Sequence, residues 1–158
     1  MVDDKCIFDK WNEKWVEELI MKMTEISTKS KNQNVLLILD DVCSDTNFNT
    51  PNTFKRIFTR GRHIFISIII TCQYIYQLPR IFRSNLDFIL AGQMNAMSTQ
   101  ILADEFLYGS IERKEFIKMY HDASRDYGFF LINCNSVKNN DELNTIYGIV
   151  KTPLNFIK

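Results

Sequence analysis

The sequence predicts an α/β layer fold built around a parallel sheet, on three observations. Val35-Leu36-Leu37-Ile38-Leu39 and Ile64-Phe65-Ile66-Ser67-Ile68-Ile69-Ile70 are short, almost unbroken apolar runs. Such runs read as strands covered on both faces. Segments with helical apolar spacing alternate with them along the chain, which is the order of a layered α/β domain. Each run also ends in polar side chains, Asp40-Asp41 after the first and Thr71-Cys72-Gln73 after the second. In open α/β sheets the carboxyl ends of the strands are where ligands bind.

The first element is a helix. From Asp9 to about Ser27 the apolar residues Trp11, Trp15, Leu19, Met23 and Ile26 recur at helical spacing, with Glu13, Lys14, Glu17, Glu18, Lys22 and Glu25 on the other face. This is an amphipathic helix that packs one side, both tryptophans included, onto a sheet. A polar link, Ser27–Asn34, leads into the first strand. Val42–Thr50 reads as a loop, with Thr50-Pro51 as N-cap and first helical residue of a helix carrying Phe54, Ile57 and Phe58 inward. Gly61 suits the left-handed position that ends that helix. The isoleucine-rich run after it is the most β-prone in the chain and is expected beside the first strand. Pro79 breaks the next loop, and Arg80–Asn85 forms a short turn or helix. A third strand, Leu86–Ala91, stops at Gly92. Ser98 caps a helix from Thr99 to Tyr108, and a second helix runs from Ile111 to Ala123. Tyr127–Asn133 is a fourth strand, Asn135–Asn140 a polar turn, and Tyr147–Val150 a last edge strand before Pro153.

Composition narrows the function classes. The 158 residues carry 19 basic and 19 acidic side chains, so the net formal charge is zero and any nucleic-acid contact must come from a local patch. Cys6, Cys43, Cys72 and Cys134 lie far apart without zinc-ligand spacing, and read as reduced thiols of an intracellular protein. No window approaches the roughly 20 apolar residues of a membrane span. The start, Met1-Val2-Asp3-Asp4-Lys5, does not read as a signal peptide. The spacing supports no Ser, Cys or His nucleophile arrangement, and His121 and Asp122 read as exposed helix-end residues.

Two carboxylates at a buried strand end need a cation, a donor or water, and Mg²⁺ carrying phosphates is one such partner. The bland alternative is a strand that simply ends in a polar loop. The motifs downstream of Asp41 narrow the choice. The acidic strand end is succeeded by a basic helix with Gly61-Arg62-His63, then by an apolar strand ending Thr-x-Gln. Next come Leu78-Pro79-x-Ile81-x-Arg83-Ser84-Asn85 and another apolar strand. This order resembles the FtsK/HerA superfamily of DNA-pumping ATPases. It is most similar to the branch formed by the DNA-packaging ATPases of poxviruses and other large double-stranded DNA viruses. The match runs from Val35 to about Ala91.

The resemblance implies a RecA-like three-layer fold with a mostly parallel central sheet, incomplete at its N-terminal side. It implies ATP and Mg²⁺ as cofactors and a homo-oligomeric ring that moves double-stranded DNA into capsids. It also implies capsid proteins as partners, no membrane, and a place in the host cytoplasm, viral factory or virion. On this resemblance Asp40 matches the Walker B acid that holds Mg²⁺, and Asp41 the following acid that handles the attacking water. Many relatives carry Glu at the second position. Gln73 matches the polar sensor near the γ-phosphate, and Arg83 and Arg80 match positions from which an arginine reaches a neighbouring subunit's nucleotide.

Bland readings stand beside these. Gln73 can satisfy loop carbonyls, and Arg80 and Arg83 can be surface ion-pair residues. Lys55, Arg56, Arg60, Arg62 and His63 form the densest basic cluster, which suits either DNA phosphates or a solvated helix face. The chain is expected to be one partial ATPase domain over 1–158. Residues 1–34 supply a helix and linker, 35–91 the Walker B and sensor core, and 92–158 the C-terminal helices and edge strands. No GxxxxGK[ST] loop occurs, the five glycines are isolated, and only 34 residues precede Val35. That loop supplies the backbone donors and the lysine that grip phosphates, so the chain alone should bind ATP poorly. The alternatives are a non-catalytic interaction subunit or decayed remnant, and a small DNA-binding accessory protein.

Overall fold

The computed structural model describes residues 7–29, 33–42, 52–109, 111–138 and 143–151. Cys6, Cys43, the Thr50-Pro51 cap, most of the loop after Val42 and the Pro153 tail lie outside the described residues. Two compact units emerge, one of Met1–Gln73 with Gln77–Asn85 and the other of Tyr74–Tyr76 with Leu86–Lys158.

In the first unit, helix α1 (Glu13–Lys29) precedes strand β1 (Val35–Leu39), helix α2 (Asn52–Arg60), strand β2 (Ile66–Ile70) and the short helix α3 (Arg80–Arg83). Strands β1 and β2 pair in parallel, with Val35 level with Ile66 and Leu39 level with Ile70. The inner face of the pair, Val35, Leu37, Ile66 and Ile68, packs against Val16, Ile20 and Met23 of α1 and Ile57 of α2. Each fully buried aliphatic side chain in such a layer contributes about 1.5–3 kcal/mol. The centre of the α1 face is therefore Val16, Ile20 and Met23. Trp11 and Trp15, expected in the core, are only half-buried at its margin. The opposite face of the strand pair is uncovered, with Leu36 55%, Ile38 62% and Ile69 49% exposed. Burial on both faces, expected from the apolar runs, is thus corrected to burial on one.

Gly61 is not left-handed. It opens a 3-10 turn, Gly61–Ile64, and the left-handed residue is Phe65 at φ 57°. Gly61 eases a close approach, since a Cβ there would sit 3.1 Å from the Ile66 carbonyl oxygen and the backbone would have to give by a few tenths of an ångström. An aromatic cluster seats α3: Phe82 packs on Phe54 at 4.7 Å and on Phe58 at 4.8 Å, and Phe54 packs edge-on against Trp11 at 5.3 Å. Glu13 ties the start of α1 to α2, accepting from the Trp11 indole N–H at 2.7 Å and from the Thr53 hydroxyl.

The second unit runs β3 (Phe88–Ala91), α4 (Ala96–Phe106), α5 (Arg113–Ala123), β4 (Gly128–Asn133), α6 (Cys134–Lys138), α7 (Leu143–Ile146) and β5 (Tyr147–Lys151). Its three strands form an antiparallel sheet in the order β3-β4-β5. The α/β class holds, with parallel pairing confined to the first unit and the last strand at an edge, as expected. The segment expected as a polar turn after Asn133 instead begins with the short helix α6. The cap of α4 is Asn95, whose side chain accepts from the Ser98 N–H at 2.8 Å, while Ser98, expected as the cap, is fully buried. Leu102, Phe106, Phe116, Tyr120, Phe130, Ile132 and Tyr147 make up the core.

Candidate functional site

The site is a consequence of register. Because Leu39 is level with Ile70 in a parallel pair, the next residues, Asp40 and Thr71, come level at the carboxyl ends of both strands. The Thr71 N–H donates to the Leu39 carbonyl at 2.9 Å and continues the ladder to that point. The Thr71 hydroxyl donates to Asp40 Oδ1 at 2.5 Å and accepts from the Asp41 N–H at 2.9 Å. Asp41 adopts φ 48°, a left-handed conformation that aspartate tolerates better than most residues. That turn carries its carboxylate to Gln73, whose Nε2 donates to Asp41 Oδ2 at 3.0 Å.

Three residues expected from the sequence, Asp40, Asp41 and Gln73, are thus joined in one hydrogen-bonded chain. Thr71 is the hub that links them, and it is an addition to the candidate residues read from the sequence. Its signal was present, a hydroxyl at the carboxyl end of the strand next to the acidic one. The amide of Gln73 serves a carboxylate rather than a loop carbonyl.

The two arginines sit on α3. Arg83 Nη1 donates to the Leu78 carbonyl at 2.5 Å, bracing its own turn. Arg80 begins the helix with an exposed side chain. Lys55, Arg56 and Arg60 are exposed on α2, and Arg62 and His63 are exposed on the following turn.

The donor set fits a divalent cation that arrives with a phosphate ligand. Two neighbouring carboxylates offer hard oxygens, and Asp40 is exposed at its strand end. Among the described residues no group of three or more His, Cys, Asp or Glu could hold a metal ion, so this is not an all-protein cage. Mg²⁺ commonly binds through one or two carboxylates, keeping water and substrate phosphates as its other ligands. The carboxylates stand at open strand ends. Two surface depressions, one of about 340 Å³ beside Lys22, Glu25 and Lys29 and one of about 670 Å³ beside Gln93 and Lys118, lie elsewhere.

An α/β fold with polar side chains converging at parallel strand ends defines a strand-end site of the kind these folds use for ligands. Comparison with known proteins places the chain more narrowly. The family described as Poxvirus A32 protein matches residues 10–151, and the chain belongs to that family. Uncharacterized protein B354L of African swine fever virus, in the Tick/Malawi/Lil 20-1/1983 isolate and the Badajoz 1971 Vero-adapted strain, is 44% identical over 55 residues. That match covers 34% of this chain and 16% of the viral protein. Among solved structures the fold is similar to the genome packaging NTPase B204 from Sulfolobus turreted icosahedral virus 2, in complex with AMP. The TM-score is 0.62 at 18% identity, covering 93% of this chain and 66% of that one. The chain therefore spans less than two thirds of the length of either protein. No helix among the described residues is long and apolar enough to cross a membrane.

Proposed function

We propose that the chain supplies the metal- and water-handling end of a viral genome-packaging ATPase, a motor that translocates double-stranded DNA. The observation that carries this reading is the hydrogen-bonded chain Thr71–Asp40 and Thr71–Asp41–Gln73 at the ends of two parallel strands. Family membership and the fold shared with a packaging NTPase support it.

In this reading Asp40 is the Walker B acid. Thr71 occupies one lone pair of Oδ1 and fixes the carboxylate, leaving its remaining lone pairs to a hydrated Mg²⁺. Bound with ATP, Mg²⁺ neutralises charge on the phosphoryl oxygens. Asp41 accepts a proton or hydrogen bond from the attacking water, held in place by the Gln73 amide. Gln73 thereby acts as sensor, since its N–H groups would serve either Asp41 or a γ-phosphate, and the choice would change how Asp41 is held. Arg83 and Arg80 act toward a neighbouring subunit in a homo-oligomeric ring, and Lys55, Arg56, Arg60 and Arg62 face DNA phosphates. Capsid proteins are the docking partners, in the host cytoplasm, viral factory or virion. A GxxxxGK[ST] loop is absent from these 158 residues, so the grip on the phosphates comes from a separate segment.

The test is ATP turnover by the chain supplied with a phosphate-loop module, with and without Asp41→Asn. Loss of a group of this kind lowers the rate by about 10²–10⁴-fold, and unchanged turnover removes Asp41 from the mechanism. The uncovered apolar face at Leu36, Ile38 and Ile69 favours a second reading, a non-catalytic interaction subunit. Nucleotide, added to the chain supplied with a phosphate-loop module, separates the two. At a hundred times its Kd, ATP adds about 2.7 kcal/mol of stability to a binding protein and nothing to an interaction module.

A further inference from the structure

Helix α5 carries a second cationic surface, in the other unit from the strand-end site and from Lys55–Arg62. Lys114, Lys118, His121 and Arg125 succeed one another at intervals of four, three and four residues, so they form a single row along the helix and into the turn beyond it. Phe116, Tyr120 and Ala123 point into the core, which leaves the row on the solvent side. All four side chains are exposed. Lys114 and Lys118 have no acidic partner among the described residues, and Arg125 has a loose one in Asp122 at 3.6 Å. Arg113, which falls outside the row, is turned away to pair with Asp104.

The row lines one side of an open depression of about 670 Å³, whose other side is the segment at Gln93 and Met94. That rim is fixed: the Tyr120 hydroxyl accepts from the Met94 N–H at 2.8 Å and donates to the Gly92 carbonyl at 2.9 Å. At about 1.5 Å per residue the row is roughly 16 Å long. Such a length suits a linear polyanion rather than one small anion, and the depression is too open to enclose a nucleotide.

We infer that this row is a phosphate-backbone tract for double-stranded DNA. Its contacts go to phosphates and carry no base sequence: the row contains lysine, histidine and arginine and no exposed aromatic ring on which a base would stack. Asp122 weakens the tract at one end without reversing its sign. The tract holds DNA whether or not ATP is hydrolysed, so it extends the motor reading without depending on turnover.

The test is anisotropy of a labelled 30-base-pair duplex titrated with the 158-residue chain, without nucleotide, across a salt series. The wild-type chain is compared with Lys114→Gln/Lys118→Gln/His121→Gln/Arg125→Gln, and with Lys55→Gln/Arg56→Gln/Arg60→Gln/Arg62→Gln. Each phosphate contact adds about 0.9 to the slope of log affinity against log salt. The α5 variant should therefore lose roughly 3 from that slope and bind roughly tenfold or more weakly at low salt. The pair Lys114→Gln/Lys118→Gln should lose about half as much, with far-UV circular dichroism unchanged. Equal slopes and affinities for the wild-type and α5 variants overturn the inference, as does loss confined to the α2 variant. Competition by polyglutamate as effective as that of duplex at equal charge also overturns it, assigning the row to an acidic protein.

Discussion

Thr71 concentrates the hydrogen bonding between the two strand ends in one side chain. Its hydroxyl donates to the Asp40 carboxylate and accepts from the Asp41 backbone N–H, so removing it frees the Asp40 carboxylate and leaves the Asp41 N–H without that acceptor. Thr71→Val is expected to lower stability by about 0.5–1.5 kcal/mol, measured by urea unfolding, while Thr71→Ser keeps the wild-type value to within a few tenths. If valine is as stable as threonine, the hydroxyl is not the hub. The acids themselves were legible in the sequence because they end an apolar run. Thr71 was legible only as a polar group at a strand end, and its place between the two acids was not, because that depends on the register with the partner strand. Gly61 shows the opposite case: its placement after a helix suggested a left-handed cap, but what sets it apart is the close approach of the Ile66 carbonyl, which a side chain there would crowd.

At the scale of elements, helix faces were legible as arcs and not as centres. The expected stripe of Trp11, Trp15, Leu19, Met23 and Ile26 left out Val16 and Ile20, and only the position of the sheet selects those two for burial beside Met23. Phe54 is where α2, α3 and Trp11 meet, and it is 1% exposed. Phe54→Ala is expected to cost about 3–5 kcal/mol in chemical denaturation, and a loss below 1 kcal/mol would contradict that packing. In the other unit one hydroxyl closes the end of α4. Tyr147 accepts from the Tyr108 N–H at 2.6 Å and is shared between the Phe106 and Tyr108 carbonyls at 3.1 and 3.2 Å. Tyr147→Phe should cost about 1–3 kcal/mol by thermal or urea unfolding. Burial, with smaller contributions from Cys134, Tyr147 and Glu105, pushes the Tyr108 hydroxyl up to about 12, and burial also raises Tyr147. A raised tyrosine pKa favours the protonated form in the fold. Its contribution is therefore complete below the unfolded value near 10 and is lost as pH rises toward 12. Unfolding followed from pH 9 to 12 should show stability falling in that upper window, and a flat profile would refute it.

Across the whole molecule, two sheets each bury one face and leave apolar residues on the other. In the first unit these are Leu36, Ile38 and Ile69, and in the second Phe88 and Leu90, both 59% exposed. Exposed patches of this kind mark contact surfaces or drive association. The isolated chain should self-associate at micromolar concentration, and Ile38→Thr with Leu90→Thr should reduce this in sedimentation velocity without loss of secondary structure. Purely monomeric wild-type protein would count against it. The apolar runs did not foretell the open faces, because hydrophobicity states what a strand can bury and not which neighbours arrive to cover it. Likewise, local patterning located all five strands among the described residues, but β3–β5 show no periodicity that distinguishes antiparallel from parallel pairing.

The sequence alone determined where strands end and which polar groups stand at those ends, since both arise from local chemistry along the chain. Tertiary structure decided that Leu39 lies level with Ile70, and hence that Asp40, Thr71, Asp41 and Gln73 share hydrogen bonds. The physical reason is that side chains alternate along a strand, so a slip of one residue would turn every one of them to the other face. Such a register depends on packing between segments thirty residues apart, which no local pattern contains.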